Sequence, residues 1–264
     1  MLPHLTFVHI TDSHMTSDGA PLHGVASAPN LRRLVRLIND FPTPPDFVLH
    51  TGDVSHDRGA PSYEQAQPIL AELRTPIYYV AGNHDAPALL RKFLGAPPAA
   101  NGDPTAPLDY VFEVKGERFL VLDGCWEHVR DPLGWLSEEQ LARVRDEAAP
   151  QGPPLTIVLH YPPFKMGSPW LDDNMILTNG AALHEALLPA RGRLRAVLCG
   201  HLHRSSQIVR DGITYISAPS VAPAYTWQPW DAEPRPDLEV PPAYNLVHYF
   251  TDRVVVQQYH FARV

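Results

Sequence analysis

Carboxylates, imidazoles and one amide recur in a few short clusters: Asp12-Ser-His14, Gly52-Asp53, Gly82-Asn83-His84-Asp85, His160 and Gly200-His201-Leu-His203. Imidazole combined with carboxylate and amide oxygen suits borderline ions such as Zn, Mn or Fe. Singly the clusters say little, because Gly-Asp and Gly-Asn are ordinary turn chemistry. Together they offer too many donors for one four-coordinate ion. Two ions about 3.5–4 Å apart, sharing a carboxylate, use the set fully, and such a pair suits in-line displacement at phosphorus. The Asp-x-His and His-x-His pairs are expected to aim both side chains one way on extended backbone, since side chains alternate along a strand.

Each cluster follows an apolar run of strand length. Leu5–Ile10 precedes Asp12, Asp46–His50 precedes Asp53, and Ile77–Val80 precedes Asn83. Leu155–Leu159 leads into His160 and Ala196–Leu198 into His201. Runs of this kind suit strands covered on both faces, and the carboxyl ends of parallel strands converge on one edge, where ligands bind. Helical spacing lies between them. Leu31, Leu34, Val35 and Ile38 recur after Ser27 and Pro29, Ser137–Gln140 reads as a capping box, and Leu183, Ala186 and Leu187 form a stripe. Hairpins are expected at 110–114 with 119–122, 207–210 with 214–217, and 244–250 with 254–261. The predicted fold is α/β, with two mixed β-sheets packed as a sandwich and flanked by helices (αββα), in a single domain over 1–264. Ala222–Pro242 is rich in Pro, Trp and acidic residues and has no period; it is expected as a loop near the site.

The 264 residues carry 21 Lys+Arg against 29 Asp+Glu, a net charge of −8. That argues against a nucleic-acid polymer as partner, because phosphate neutralisation needs clustered cations. A composition 44% hydrophobic and 19% charged is that of a globular chain. No apolar run approaches the ~20 residues of a membrane span, and the first residues lack a signal peptide's regions. No membrane and a cytoplasmic location are the expectations. Cys125 and Cys199 fit no metal spacing and read as buried free thiols.

The ordered blocks Asp12-x-His14, Gly52-Asp53, Gly82-Asn83-His84-Asp85, His160 and Gly200-His201-x-His203 resemble the calcineurin-like metallophosphoesterases. The run from His160 to Asp172, with Leu177, Asn179, Ile216–Ser220 and Pro-Ala-Tyr-Asn-Leu at 242–246, looks like the class III cyclic nucleotide phosphodiesterases and related glycerophosphodiesterases. Tyr161 departs from the second His usual there, and His56, Asp57 and Arg58 match only loosely. The resemblance implies a first metal on Asp12, His14, Asp53 and His203. It implies a second on Asn83, His160 and His201, with Asp53 as the bridge. His84 would stand beside the metals as donor to the leaving oxygen, and Asp85 is expected to orient it, as carboxylates orient imidazoles. The implied activity is hydrolysis of small phosphodiesters, cyclic nucleotides or similar, by hydroxide held between two ions of Mn, Fe or Zn. A phosphomonoesterase or nucleotide pyrophosphatase could use the same site, and a non-catalytic interaction protein is the reading from another class.

The other histidines need structural explanations. His50 is expected to be satisfied by Thr51 or a carbonyl, and His9 and His23 to be structural or at the surface. His56, close to Asp53, is a candidate substrate contact. Trp126 and Trp135 read as packing. Tyr161 and Trp170 are expected at the rim, where flat apolar surface fits a nucleoside or aryl group. Trp227 and Trp230 read as a docked loop, a lid or a homodimer contact.

Overall fold

The apolar runs fold as strands and the periodic segments between them as helices. The computed structural model describes residues 2–125 and 128–264, so Trp126 lies outside the described residues. The order begins β1 (Leu5–Ile10), α1 (Ser27–Asn39), β2 (Phe47–His50), α2 (Ala60–Leu70), β3 (Ile77–Tyr79) and α3 (Pro87–Leu94). A hairpin follows, β4 (Tyr110–Val114) and β5 (Glu117–Val121), then α4 (Glu138–Glu147), β6 (Leu155–Val158), α5 (Pro169–Asn174), α6 (Gly180–Leu187) and β7 (Leu194–Cys199). The rest is β8 (Ser206–Arg210), β9 (Ile213–Ser217), β10 (Ala224–Tyr225), β11 (Pro236–Asp237), β12 (Ala243–Tyr249) and β13 (Val254–His260).

Two mixed sheets result, as expected. One runs β13-β12-β1-β2-β3 and the other β4-β5-β6-β7-β9-β8. The strands that carry the clusters are parallel to their neighbours: β1 to β2, β2 to β3, and β6 to β7. Hairpin strands complete each sheet in antiparallel fashion.

Alternation along the strands sorts side chains into layers. Phe119, Val121, Val158 and Leu198 join the core between the sheets, whereas Leu120, Ile157 and Val197 join an outer core under α4 and α6. Phe7 stacks on Phe47 at 4.6 Å, and both meet Phe119 edge-on at 5.8 and 5.3 Å. Each such ring, removed wholly from water, contributes about 1.5–3 kcal/mol. Leu31, Leu34, Val35 and Ile38 of α1 are buried as their spacing predicts, although Ser27 is the first helical residue and Ala26 stands at the uncapped N-cap. The capping box of α4 forms, with Gln140 N–H donating to Ser137 Oγ at 3.1 Å and Ser137 N–H to Gln140 Oε1 at 2.8 Å. Ala222–Pro242 is not wholly irregular: β10 and β11 pair within it. Among the described residues no helix is long and apolar enough to cross a membrane.

Candidate metal centre

The ends of β1, β2, β3, β6 and β7 bring their clusters together across the two sheets. Asp12, His14 and His203 form one buried group and Asp53, His160 and His201 another, with the donor atoms of each within 4.8 Å of one another. His14 Nε2 lies 3.0 Å from His203 Nε2, and Asp12 Oδ1 lies 3.8 and 3.6 Å from these two nitrogens. His201 Nδ1 is 2.9 Å from His160 Nε2. Asp53 Oδ2 lies 3.4 Å from His14 Nε2 and 3.3 Å from His160 Nε2, so one carboxylate oxygen faces both groups.

Backbone geometry makes this convergence possible, in a way the alternation argument misses. Asp12, His14, Asp53, His201 and His203 are not extended but left-handed, with φ of 52°, 43°, 57°, 71° and 56°. Non-glycine residues adopt this region at a cost, and such positions gather at functional sites. Here the chain turns as soon as each strand ends, which lets both members of a pair face inward. Two glycines are required by close approach. A Cβ on Gly82 would lie 2.2 Å from Asp53 Oδ1, and one on Gly52 would lie 2.5 Å from His160 Nδ1.

The donor set fits cations. His203 Nδ1–H donates to the Pro223 carbonyl and His160 Nδ1–H to the Thr51 carbonyl, both at 2.7 Å, which leaves Nε2 of each ring as the nitrogen that a cation would take. Asp12 Oδ1, Asn83 Oδ1 and His201 Nε2 are buried without a hydrogen-bond partner. An unpaired buried polar atom costs about 1–3 kcal/mol, so three at one place need an explanation, and cations held there would supply it. Burial pushes the Asp53 carboxyl up, but His160, His14 and His84 around it hold it well below the usual carboxylate range. Burial and neighbouring imidazoles hold His14 and His201 well below their ordinary value, hence neutral, the metal-binding form. Burial lowers His160 too, but Asp53 outweighs it and raises the ring to about 9. Buried His/Asp clusters of this kind are typical of a dimetal site.

His84 sits beside both groups. Its N–H donates to Asp53 Oδ1 at 2.8 Å and its Nδ1–H to the His56 carbonyl at 2.5 Å. Asp85 does not orient it. The Asp85 carboxylate instead accepts from Val54 N–H, Ser55 N–H, Gly82 N–H and Tyr63 Oη–H at 2.9–3.2 Å, tying the loop after β2 to the loop after β3. Those four donors saturate it. Tyr161 is likewise displaced from its expected place: it is 1% exposed, wedged against Gly124 and Gly134 beneath the site. His50 bonds Ser13 Oγ, and Thr51 Oγ1 serves His9 at 2.9 Å. Cys199 is buried, but Cys125 is only half-buried, its thiol donating to the Gly82 carbonyl at 3.0 Å.

A cavity of about 360 Å³ opens above the two groups. Trp170 and Met175 of the segment after His160 line it, together with Tyr225, Trp227 and Pro234 of the Pro-rich stretch. His23 and Pro132, which nothing in the sequence marks as near the site, also line it, as does His56. Trp230 is not part of this lining and is 80% exposed. No lysine or arginine is among the described residues lining this cavity.

Residues 5–205 match the calcineurin-like phosphoesterase family. The chain is 32% identical over 271 residues to a cAMP/cGMP dual specificity phosphodiesterase of Mycobacterium tuberculosis, covering 96% of this chain and 78% of the relative. It is 29% identical over 238 residues to a 3′,5′-cyclic adenosine monophosphate phosphodiesterase of Pseudomonas aeruginosa, covering 83% of each. In fold it resembles the crystal structure of a dimetal phosphatase from Danio rerio, with a TM-score of 0.72 at 18% identity over 99% of this chain and 98% of that one.

Proposed function

The chain belongs to the calcineurin-like phosphoesterases, and from that premise we propose that it is a dinuclear metal-dependent phosphodiesterase acting on small diesters such as cyclic nucleotides. Asp12, His14 and His203 would hold one ion and Asn83, His160 and His201 the other, with Asp53 between them. When bound, two such ions lower the pKa of a shared water toward about 7 and neutralise phosphoryl oxygens. The chain's own residues do the rest. Asp53 keeps its charge between the two groups, Gly52 and Gly82 leave room for it, and His84 offers a hydrogen bond or proton to the leaving oxygen.

The observation that carries the choice of a diester is the cavity lining. A monoester dianion or a pyrophosphate brings two or more negative charges, and sites for those usually add arginine or lysine as a clamp. A diester brings one. The cavity supplies none of these side chains among its described residues, but does supply flat apolar walls in Trp170, Tyr225 and Trp227. The named activities of the Mycobacterium and Pseudomonas relatives support the same reading.

The test is a substrate panel with added Mn²⁺: 3′,5′-cyclic and 2′,3′-cyclic nucleotides, glycerophosphodiesters, bis-p-nitrophenyl phosphate and p-nitrophenyl phosphate. Higher kcat/KM on the diesters, together with metal bound to the purified protein, is expected. A preference for p-nitrophenyl phosphate over every diester overturns the reading.

A further inference from the structure

An imidazole that gives one nitrogen to a cation must carry its proton on the other, and the acceptor found there fixes the ring's tautomer and plane. His203 and His160 meet this requirement with backbone carbonyls. His14 does not. Its Nε2 faces His203, Asp53 and Asp12, while the partner of its Nδ1 is a side chain, Nδ1 of His56, at 3.3 Å. With the proton on His14 Nδ1, the facing nitrogen of His56 has to be the bare acceptor.

The surroundings hold His56 in that place. Its N–H donates to the Met15 carbonyl at 2.9 Å, one residue beyond His14, so the two loops are tied at the point where the rings meet. Its own carbonyl accepts from His84 Nδ1–H, and its ring lies nearly parallel to that of His84, at 11° and 5.2 Å between centroids. The ring is thus fixed from two sides and is only half-buried. Nothing about packing demands an imidazole in a position so open to solvent.

We propose that His56 is a positioning residue for metal capture: its Nδ1 accepts the Nδ1 proton of His14 and so turns His14 Nε2 toward Asp12 and His203. The inference rests on the two-metal reading above. It assigns work to a residue in the very segment that matches the family only loosely.

The experiment compares the full-length protein with His56→Ala and His56→Asn. Asparagine is the conservative variant, because its Oδ1 can stand where Nδ1 stands and accept the same proton. Dissociation constants for Mn²⁺ and Zn²⁺ are read by competition with a chromophoric chelator, beside the Tm of the metal-free proteins and kcat at saturating Mn²⁺. His56→Ala is expected to weaken one of the two ions by about 10–100-fold, the usual effect of losing a ligand's outer partner. His56→Asn is expected to recover most of that affinity. The metal-free Tm should stay near that of the parent, and saturating Mn²⁺ should restore most of kcat. If His56→Ala holds both ions as tightly as the parent, the inference is wrong. It is equally wrong if His56→Asn is as weak as His56→Ala, and this comparison decides the matter even where the alanine variant loses stability. A parent protein that binds no ion at all would instead overturn the two-metal reading.

Discussion

His84 has one ring nitrogen committed and one to spare. Nδ1–H is engaged by the His56 carbonyl, so in the doubly protonated ring Nε2–H is the donor left for a leaving oxygen in the cavity. His84→Asn is expected to keep its metals and to lower kcat and kcat/KM together, as loss of a transition-state interaction does. For a cyclic nucleotide, whose leaving group is a sugar alkoxide, the loss should approach the about 10²–10⁴ of general acid catalysis. For bis-p-nitrophenyl phosphate it should be smaller, since p-nitrophenolate leaves without help. Equal losses on both substrates would count against the assignment. At this scale the sequence is readable where chemistry follows from residue type: Asp, His and Asn at strand ends announce a cation site. Direction is not readable. Asp85 is the neighbour of His84 in sequence, yet it turns back to bind the loops, and Tyr161 follows His160 but packs beneath the site. Both side chains leave turning backbone, where neither the period of two nor that of 3.6 applies.

Elements divide in the same way. The strands, the three hairpins and the capping box of α4 are visible in the sequence because each rests on a period or a local motif. The β10–β11 ladder is not, because a pairing of two residues in each strand leaves no period to detect. Its effect is to carry Tyr225 and Trp227 to the cavity that Trp170 of α5 also lines. Tyr225 also meets the His203 ring, at 4.9 Å between centroids; a Trp170 that grips only a substrate's bulky group should bind it equally in ground and transition states, which changes KM and not the barrier. Trp170→Ala is expected to raise KM for cyclic nucleotides several-fold with little change in kcat, and to leave methyl p-nitrophenyl phosphate nearly unaffected. Steady-state kinetics on the two substrates checks it. A collapse of kcat on both would mean that α5 supports the donor groups instead.

For the whole molecule, one electrostatic cost lies outside the two donor groups. Asp109, before β4, accepts from Asp123 N–H at 2.7 Å and from Gln140 Nε2–H at 3.0 Å, and burial raises its carboxyl to about 6. Below the unfolded value near 4 the group is protonated in both states and contributes no pH dependence. Between about 4 and 6 only the folded state holds the proton, so stability falls as pH rises through this window and stays lower above it. Asp109→Asn should therefore gain on the parent by on the order of 1–2 kcal/mol more at pH 7.5 than at pH 4.5. Urea unfolding at the two pH values measures this, and an equal difference at both would remove the account. A last consequence concerns synthesis. Strand β12 lies between β1 and β13, pairing Val8 with Leu246. Every donor residue, the last being His203, has therefore left the ribosome while β1 still presents an open edge that would seek some other strand. Metal capture is therefore expected to follow the closing hairpin. A chain stopped at 242 keeps all its donors, yet it is expected to collect in the insoluble fraction, with no Mn²⁺ retained by whatever stays in solution.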